Sequence, residues 1–224
     1  MAAVVKRSYD SSRRQDQARQ TERAVLAAAA ELFTAQGYGR TTLAQVAQQA
    51  GVSVETVYSR FRNKPGLLHR VWDVTSGGDD DDVLFHERPE VQAITAEPDL
   101  ARRLAMQARM MTKTVRRTAP LLLMLQSAAG SDPVAAQMLQ EASSQRLVGL
   151  GFMAEAAAAT GQLVVSEQEC RDLIWAHSDG VLWHRLVLER GWSDEQFADY
   201  LARAWIAALV EPARSRKART PAAP

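Results

Sequence analysis

The sequence has few of the residues that build disulfide-stabilised, metal-clustered or membrane-spanning proteins. Among its 224 residues there is one cysteine, Cys170, which excludes a disulfide within the chain and a metal site built from several cysteines. No apolar run approaches the roughly 20 residues of a transmembrane helix. Residues 1–9 contain no apolar core of a signal peptide. These absences lead us to expect a cytoplasmic protein.

Signatures of common enzymes are also missing. The sequence has no glycine-rich phosphate loop, no GxSxG and no HExxH, and Cys170 lies in a predicted helix without an activating partner nearby in the sequence. Asp79–Asp82 form a run of carboxylates, but adjacent acids lack the alternating spacing and the distal glutamate of a calcium loop. We therefore expect no enzyme, no cofactor and no metal site, and a solvated loop at the acidic run.

The most informative stretch is Thr41–Lys64, TTLAQVAQQAGVSVETVYSRFRNK, which is typical of two short helices joined by a tight turn. Apolar residues recur at helical spacing in its first half, and Gly51 follows where a helix commonly ends in the left-handed conformation. Ser53 is placed to cap a second helix, whose inner face carries Val57 and Phe61 one turn apart. Two helices joined by a short turn with a glycine indicate a helix-turn-helix unit.

The second helix has an outward face at the place where a recognition helix meets base edges in a major groove. The candidate readers of bases on this face are Val54, Glu55, Ser59 and Arg60. Hydroxyls and a cation flank them, and such groups hold phosphate oxygens: Thr42, Ser53, Thr56, Tyr58 and Lys64. The alternative is that Thr42 and Ser53 only cap helices and that Tyr58 only packs. Arg60 favours a guanine, unless Glu55 holds it in an ion pair.

Charge is unevenly distributed along the chain, although the net charge is only +1. Residues 1–64 hold 10 Lys and Arg against 5 Asp and Glu, whereas residues 65–224 hold 17 against 21. The basic excess accompanies the helix-turn-helix, as expected of a module that binds a polyanion. Residues 1–20 are predicted to be a flexible basic arm, either in a minor groove or free in solvent. The basic, proline-rich tail 212–224 is predicted to be disordered.

Helical periodicity continues through most of the chain and predicts an all-α protein. The helix-turn-helix domain is expected over residues 21–64, with its first helix from about Thr21 to Gln36. A fourth helix begins beside Pro65, and an irregular connection is expected over residues 76–98. The later segments are expected at Asp99 to a stop before Pro120, a short apolar run Leu121–Leu125, Asp132 to about Thr160, Glu167–Leu188 and Asp194–Val210.

The run from Ala24 to Val71 resembles the DNA-binding domain of the TetR family of bacterial transcriptional regulators. The motifs that carry the resemblance are AAELF at Ala29–Phe33, GYGRTT at Gly37–Thr42, AGVS at Ala50–Ser53, TVYSRF at Thr56–Phe61 and KPGLL at Lys64–Leu68. A weaker resemblance continues in DGVLWHRLVLERGWSDEQFADYLARAW near the C-terminus. The resemblance implies a homodimer with an N-terminal three-helix helix-turn-helix domain and a C-terminal helical domain, about 65–211, for ligand binding and dimerisation. It places the dimer interface on the last two helices, about 167–210.

The C-terminal helices are expected to enclose an apolar or aromatic small molecule, with methionine and aromatic side chains as the lining. The candidates for ligand binding are Met106, Met110, Met111, Met124, Phe152, Trp175 and His177. The alternative is that these residues are simply core. His177 and His184 are seven residues apart, about 10.5 Å along one helix, which is too far for a shared metal ion.

Three functions remain open from the sequence. The leading one is a homodimeric repressor that a small apolar or aromatic ligand releases from a near-palindromic operator. The second is a constitutive or architectural DNA-binding protein without an effector, and the third is a helical small-molecule carrier that does not bind DNA. The leading hypothesis has double-stranded DNA, a second copy of the chain and an unidentified small molecule as partners, and no membrane.

Overall fold

The computed structural model describes residues 5–79 and 83–210, and the fold in these ranges is all-α, as the sequence predicted. The one pairing of extended backbone within them is an isolated bridge between Leu163 and Val210. Among the described helices, none has both the length and the apolarity needed to cross a membrane. The tail 212–224, predicted to be disordered, and residues 80–82 of the acidic run lie outside the described residues.

The first helix, α1, spans Val5–Gln36 and begins well before Thr21, where the sequence placed its start. The predicted flexible arm is therefore wrong for residues 5–20, which extend α1 instead. These residues contain neither proline nor glycine, so nothing in them interrupts a helix that the packed segment after Thr21 nucleates. Asp16 and Arg19 add an ion pair of 2.7 Å between side chains one turn apart.

Two short helices, α2 (Leu43–Ala50) and α3 (Val54–Phe61), form the predicted helix-turn-helix. Gly51 ends α2 with a φ of 68°, a left-handed conformation in which any Cβ is strained. Val57 of α3 and Phe33 of α1 are completely buried in one apolar cluster. The three N-terminal helices therefore share a core that fixes the direction of α3.

The next helix, α4, spans Lys64–Gly77, and the connection after it contains more helix than predicted. A single 3-10 turn covers Phe85–Glu87, and α5 spans Pro89–Ala96. The prediction of an irregular segment is wrong for α5 because Pro89 starts the helix. A proline in the first turn has no intrahelical N–H to lose.

The helix α6 spans Leu100–Ala128 and passes through Pro120, where the sequence predicted a stop and a separate short segment. A proline inside a helix costs about 3 kcal/mol. Leu122 and Leu125 lie beyond the proline and are both 0% exposed. Burying two leucine side chains contributes roughly 1.5–3 kcal/mol each, so tertiary packing offsets the cost and the helix continues.

The long helix α7 spans Pro133–Ala158, close to the predicted limits. Asp132 caps it as expected, since its Oδ1 accepts hydrogen bonds from the backbone N–H groups of Val134 at 2.9 Å and Ala135 at 3.1 Å. The last helix, α10, spans Asp194–Leu209 and also agrees with the prediction.

The single helix predicted over residues 167–188 is two elements in the structure. The first, α8, spans Glu167–Ala176. The second, α9, starts with Val181–Trp183 and continues as a π-helical turn over His184–Glu189. Because the helix is broken between them, His177 and His184 do not lie on one helix face, as the sequence suggested.

Gly180 is the reason for this break. Its φ of 85° is left-handed, and a Cβ at this position would lie 2.7 Å from the Cβ of Ala119 on α6. Asp179 starts α9, because its Oδ1 accepts a hydrogen bond of 3.0 Å from the backbone N–H of Val181. The close approach of α9 to α6 therefore requires both a glycine and a change of direction here.

Two large apolar cores hold the described residues together. The first joins α1–α4 to the end of α6 and the start of α7, where Leu121 and Met138 are buried with Trp72 of α4. The second fills the space between α6, α7, α8 and α10, around Trp205 and Phe197. The first core therefore contains residues from both sides of residue 64, the boundary that the sequence predicted between the two domains.

Candidate nucleic-acid interface

Hydrogen-bonded caps fix both helices of the helix-turn-helix. Thr42 Oγ1 accepts from the backbone N–H of Gln45 at 3.2 Å, and Gln45 Oε1 accepts from the backbone N–H of Thr42 at 2.8 Å. Ser53 Oγ accepts from the backbone N–H of Thr56 at 3.2 Å. These bonds satisfy donors that the first turn of a helix leaves free, so α3 begins at a defined residue and presents a defined face.

The outward face of α3 is narrower than the sequence predicted. Glu55 and Ser59 are exposed and lie one turn apart. Val54 is half-buried and packs against the first apolar core, so it is not on the open face to which the sequence assigned it. Of the four predicted readers, Glu55 and Ser59 are therefore the side chains most directly available to a DNA major groove.

Glu55 keeps a negative charge at the start of α3. Hydrogen bonds from its own backbone N–H and from the Ser53 side chain hold the pKa of the Glu55 carboxyl below its usual value. An ionised carboxylate in a major groove accepts a hydrogen bond from the N4 amino group of cytosine. Glu55 therefore has the chemistry of a base-reading group.

Arg60 turns back toward α1. Its Nη2 donates a hydrogen bond of 2.8 Å to the backbone carbonyl of Ala18, and its Nη1 lies 3.8 Å from Glu22 Oε2. The sequence left Glu55 open as an ion-pair partner of Arg60, but the carboxylate beside it belongs to Glu22. Arg60 therefore joins α3 to the N-terminal extension of α1.

Lys64 is engaged within the protein. Its Nζ donates to the backbone carbonyls of Tyr38 at 2.9 Å and Thr41 at 3.1 Å, and lies 4.1 Å from the centre of the Tyr38 ring. Burial lowers the pKa of the Lys64 ammonium, and the Asp132 carboxylate acts in the opposite direction. Lys64 therefore anchors the start of α4 to the loop before α2, a role that the sequence did not reveal.

The other side chains predicted to hold phosphates have their hydroxyls near the surface. Tyr58 is 53% exposed, so its ring is accessible to a phosphate group. Thr56 is half-buried, and its Oγ1 lies 3.1 Å from Ser53 Oγ. Thr42 and Ser53 are exposed caps, so capping leaves their oxygens close to any phosphate that approaches the helix starts.

A polar groove between α1 and α3 was not found from the sequence. It is open, has a volume of about 550 Å³ and is lined by Arg14, Gln17, Ala18, Thr21, Thr56, Ser59 and Arg60. The lack of proline and glycine over residues 5–20 was a usable signal for the helical wall of this groove. The contact of that wall with α3 depends on tertiary structure and left no pattern in the sequence.

The residues predicted to bind a ligand do not form one site. Met124 is buried in the first core and Met111 in the second. Met110 is buried in a small third cluster, against which Met106 packs. Met110, Met111 and Met124 are thus buried among apolar side chains, and ligand binding by the methionines stays a prediction.

The aromatic candidates are also dispersed. Phe152 is 46% exposed on α7. Trp175 and His177 lie at the end of α8, where both are half-buried. His177 Nδ1 lies 3.2 Å from Trp205 Nε1, which donates to it. Trp175 and His177 are therefore the aromatic candidates that share a neighbourhood.

The helix-turn-helix, with its caps at Thr42 and Ser53, lies in a segment that matches known proteins. Residues 25–71 match the sequence model described as bacterial regulatory proteins, tetR family. The helix-turn-helix segment of this chain therefore matches the TetR family. The match begins one residue after Ala24, where the resemblance was expected to start, and ends at Val71 as expected, so the predicted resemblance is confirmed.

Curated HTH-type transcriptional regulators are similar to the chain over a short segment. The chain is 32% identical over 59 residues to the HTH-type transcriptional regulator AcrR of Shigella flexneri, which covers 26% of this chain and 27% of that protein. The chain spans about a quarter of the length of the curated relatives that it matches. These relatives are named as transcriptional regulators, and neither name describes an enzyme.

Solved structures share the TetR fold over most of the chain. A TetR-family transcriptional regulator from Rhodococcus sp. has a TM-score of 0.65 at 18% identity, covering 86% of this chain and 99% of that one. The SmeT–triclosan complex has a TM-score of 0.65 at 20% identity, covering 85% and 92%. These matches extend the shared fold from the helix-turn-helix to the C-terminal helices.

Side-chain contacts connect α4 to the C-terminal helices. Trp72 Nε1 donates to Gln145 Oε1 on α7 at 2.8 Å, and His69 Nδ1 lies 3.4 Å from Glu141 Oε2 on the same helix. Arg117 of α6 donates from two nitrogens to the last backbone carbonyls of α4, both at 3.3 Å. The helix that follows α3 is therefore bonded to both α6 and α7.

Proposed function

We propose that this protein is a homodimeric transcriptional repressor, which binds a near-palindromic DNA operator and is released by a small apolar or aromatic ligand. The observation that carries the proposal is the capped α2–α3 pair with Glu55 and Ser59 exposed on α3, inside the segment that matches the TetR family. The size of α3 and the hydroxyls around it suit DNA binding, and the contacts of α4 connect α3 to the C-terminal helices.

The recognition helix is α3. Its eight residues give a length of about 12 Å, comparable with the width of about 12 Å of the major groove of B-DNA. With α3 in the groove, Glu55 and Ser59 face base edges. The hydroxyls of Thr42 and Tyr58 then lie beside the groove and hold phosphates, which fix register without reading sequence.

The extension of α1 supports α3 during this contact. Arg60 holds Ala18 and Glu22, so the two helices present one continuous polar surface to the DNA. Arg14 lines the groove between them and adds a cation to this surface. Because such contacts release counterions, we expect the affinity for DNA to fall steeply as salt rises.

A second copy of the chain completes the DNA-binding unit. Large apolar side chains of α8, α9 and α10 are only partly buried in one chain: Leu173, Leu182, Leu186, Tyr200 and Ile206. Leu188 of α9 is 58% exposed. Packing these helices against a twofold-related copy buries this surface, and places two α3 helices on successive major grooves roughly 34–36 Å apart.

Ligand binding changes the separation of the two α3 helices through α4. A ligand shifts this equilibrium when it binds one arrangement of α6 and α7 more tightly than the other. Trp72 and His69 connect α4 to α7, so α4 follows that shift. The SmeT structure with the same fold is a complex with triclosan, which supports a small-molecule effector here.

Selection of the full-length protein on random DNA duplexes, at about 150 mM salt, tests this proposal. A twofold-symmetric motif with half-sites about one helical turn apart is the expected result. Retention of duplexes without any motif would instead favour a constitutive or architectural DNA-binding protein. A compound that releases the selected operator would exclude that alternative.

A further inference from the structure

Four buried donor atoms of the C-terminal helices have no hydrogen-bond partner in the described part of the chain. Within residues 13–79 and 83–210, the buried side-chain polar atoms without a hydrogen-bond partner are all nitrogens: Gln107 Nε2, Arg146 Nε and Nη1, and Trp175 Nε1. Each of these nitrogens carries hydrogen and donates. Buried polar groups in folded proteins are nearly always paired, so these unpaired donors indicate an acceptor that the described part of the chain does not supply.

Arg146 occupies a position that packing alone would give to an apolar residue. It lies on the inner stripe of α7 between Ala142 and Leu150, both of which are buried. Its guanidinium carbon lies 6.0 Å from the centre of the Trp175 ring on α8. Burial lowers the pKa of the Arg146 guanidinium, and the Asp179 carboxylate acts in the opposite direction. The side chain nevertheless stays charged at neutral pH, as arginine does in proteins.

We propose that Arg146 and Trp175 bind the anionic group of the effector, and that the effector is a small carboxylate with an apolar or aromatic body. The inference rests on the proposed function, since it names the chemical class of that effector. A carboxylate offers two oxygens that accept from the free nitrogens of Arg146 and from Trp175 Nε1. The Asp179 carboxylate already acts on this single guanidinium, which favours a monoanionic carboxylate over a dianion.

Apolar side chains lie beside this donor pair. Leu150 lies one turn beyond Arg146, and Ile174 precedes Trp175 in the chain; both belong to the second core. A body that enters between α7 and α8 contacts these side chains and the face of the indole ring. Gln107 Nε2 is a further buried donor without a partner in the described residues. It lies on α6, which also packs against α7.

Calorimetric titration of the full-length protein tests the proposal with two carboxylates, decanoate and 1-naphthoate. Each is compared with its alcohol, decanol or 1-naphthalenemethanol. We expect the carboxylates to bind more tightly than the alcohols. Arg146→Met should weaken carboxylate binding about tenfold or more, and leave the affinity for the alcohols unchanged. Trp175→Phe, which removes only the indole N–H, should give a smaller loss.

The matched control is Arg109→Met, which removes a charge from an exposed position of α6. It should bind both carboxylates like the wild type. Carboxylates that bind no more tightly than their alcohols, or an Arg146→Met variant that binds them like the wild type, would overturn the inference. So would a change in sedimentation from dimer to monomer in Arg146→Met without a change in ligand affinity, because Arg146 would then serve the dimer interface. Specific DNA binding, measured without ligand, would leave the proposed regulator standing in each of these cases.

Discussion

Arg60 of the recognition helix donates a hydrogen bond of 2.8 Å to the backbone carbonyl of Ala18, which lies 42 residues earlier in the chain. The same guanidinium lies 3.8 Å from Glu22, whose other carboxylate oxygen accepts from Arg70 of α4 at 3.1 Å. Three helices, α1, α3 and α4, are therefore joined around one carboxylate. An arginine that the sequence assigned to base reading also holds the recognition helix in place.

Removing this bond should loosen the extension of α1. In Arg60→Ala, we expect faster amide hydrogen exchange over residues 13–20, because this part of α1 loses its contact with α3. The global stability should fall by about 1 kcal/mol or less, since the guanidinium is partly exposed. Hydrogen-exchange mass spectrometry measures the effect, with Ser59→Ala on the same helix as the control. Equal exchange over 13–20 in both variants would show that Arg60 does not hold the extension.

Lys64 should stabilise the folded protein independently of any contact with DNA. Lys64→Met leaves the carbonyls of Tyr38 and Thr41 without its charged donor, and should lower the free energy of unfolding by about 1–3 kcal/mol. The control is Lys113→Met, which removes an exposed ammonium from its pair with Glu90 and should cost about 0–1 kcal/mol. Urea titrations of the two variants decide the matter. Equal losses would mean that Lys64 is not the internal anchor described.

Features that depend on near neighbours in sequence were predictable. The caps at Thr42 and Ser53 need only a backbone N–H three residues away, and Gly51 needs only its own left-handed conformation. The contacts of Arg60 and Lys64 join residues 42 and 26 positions apart. No local pattern encodes such distances, so the sequence identified these residues and not their partners.

Departures from the predicted helices have the same cause. Pro120 did not end α6, because the leucines beyond it are buried against the N-terminal helices. Gly180 did break the helix expected over residues 167–188, because α9 approaches Ala119 too closely for a side chain. In both places contact with another helix overrides the local preference, and a single sequence does not reveal that contact.

Arg146 should reduce the stability of the ligand-free protein. Its buried nitrogens lack a partner in the described part of the chain, so Arg146→Met should raise the free energy of unfolding by about 1 kcal/mol. In a chain of this size that corresponds to about 2–4 °C in Tm. Arg109→Met should stay within about 0.5 kcal/mol of the wild type. Calorimetry that shows a lower Tm for Arg146→Met would mean that the guanidinium already has a partner.

Cys170 should make the protein less stable at alkaline pH. Burial, with a smaller contribution from Glu167, raises the pKa of the Cys170 thiol from 9.0 to about 11. Above pH 9 the unfolded thiol ionises while the folded thiol stays protonated, so this contribution to stability is present below pH 9 and lost toward pH 11. Urea titrations between pH 8 and pH 10 should show a smaller decline in Cys170→Ala than in the wild type. Identical declines in stability would contradict a raised pKa of the Cys170 thiol in the folded protein.

The most direct test asks whether α3 reads sequence in two symmetric copies. Selection on random duplexes should be repeated with Glu55→Gln, which changes an exposed carboxylate to an amide and leaves the Ser53 cap in place. A regulator that reads DNA through α3 should select a new base pair at one position in each half-site, with the rest of the motif kept. An unchanged motif with weaker retention overall would contradict base reading by Glu55 and leave α3 with phosphate contacts alone.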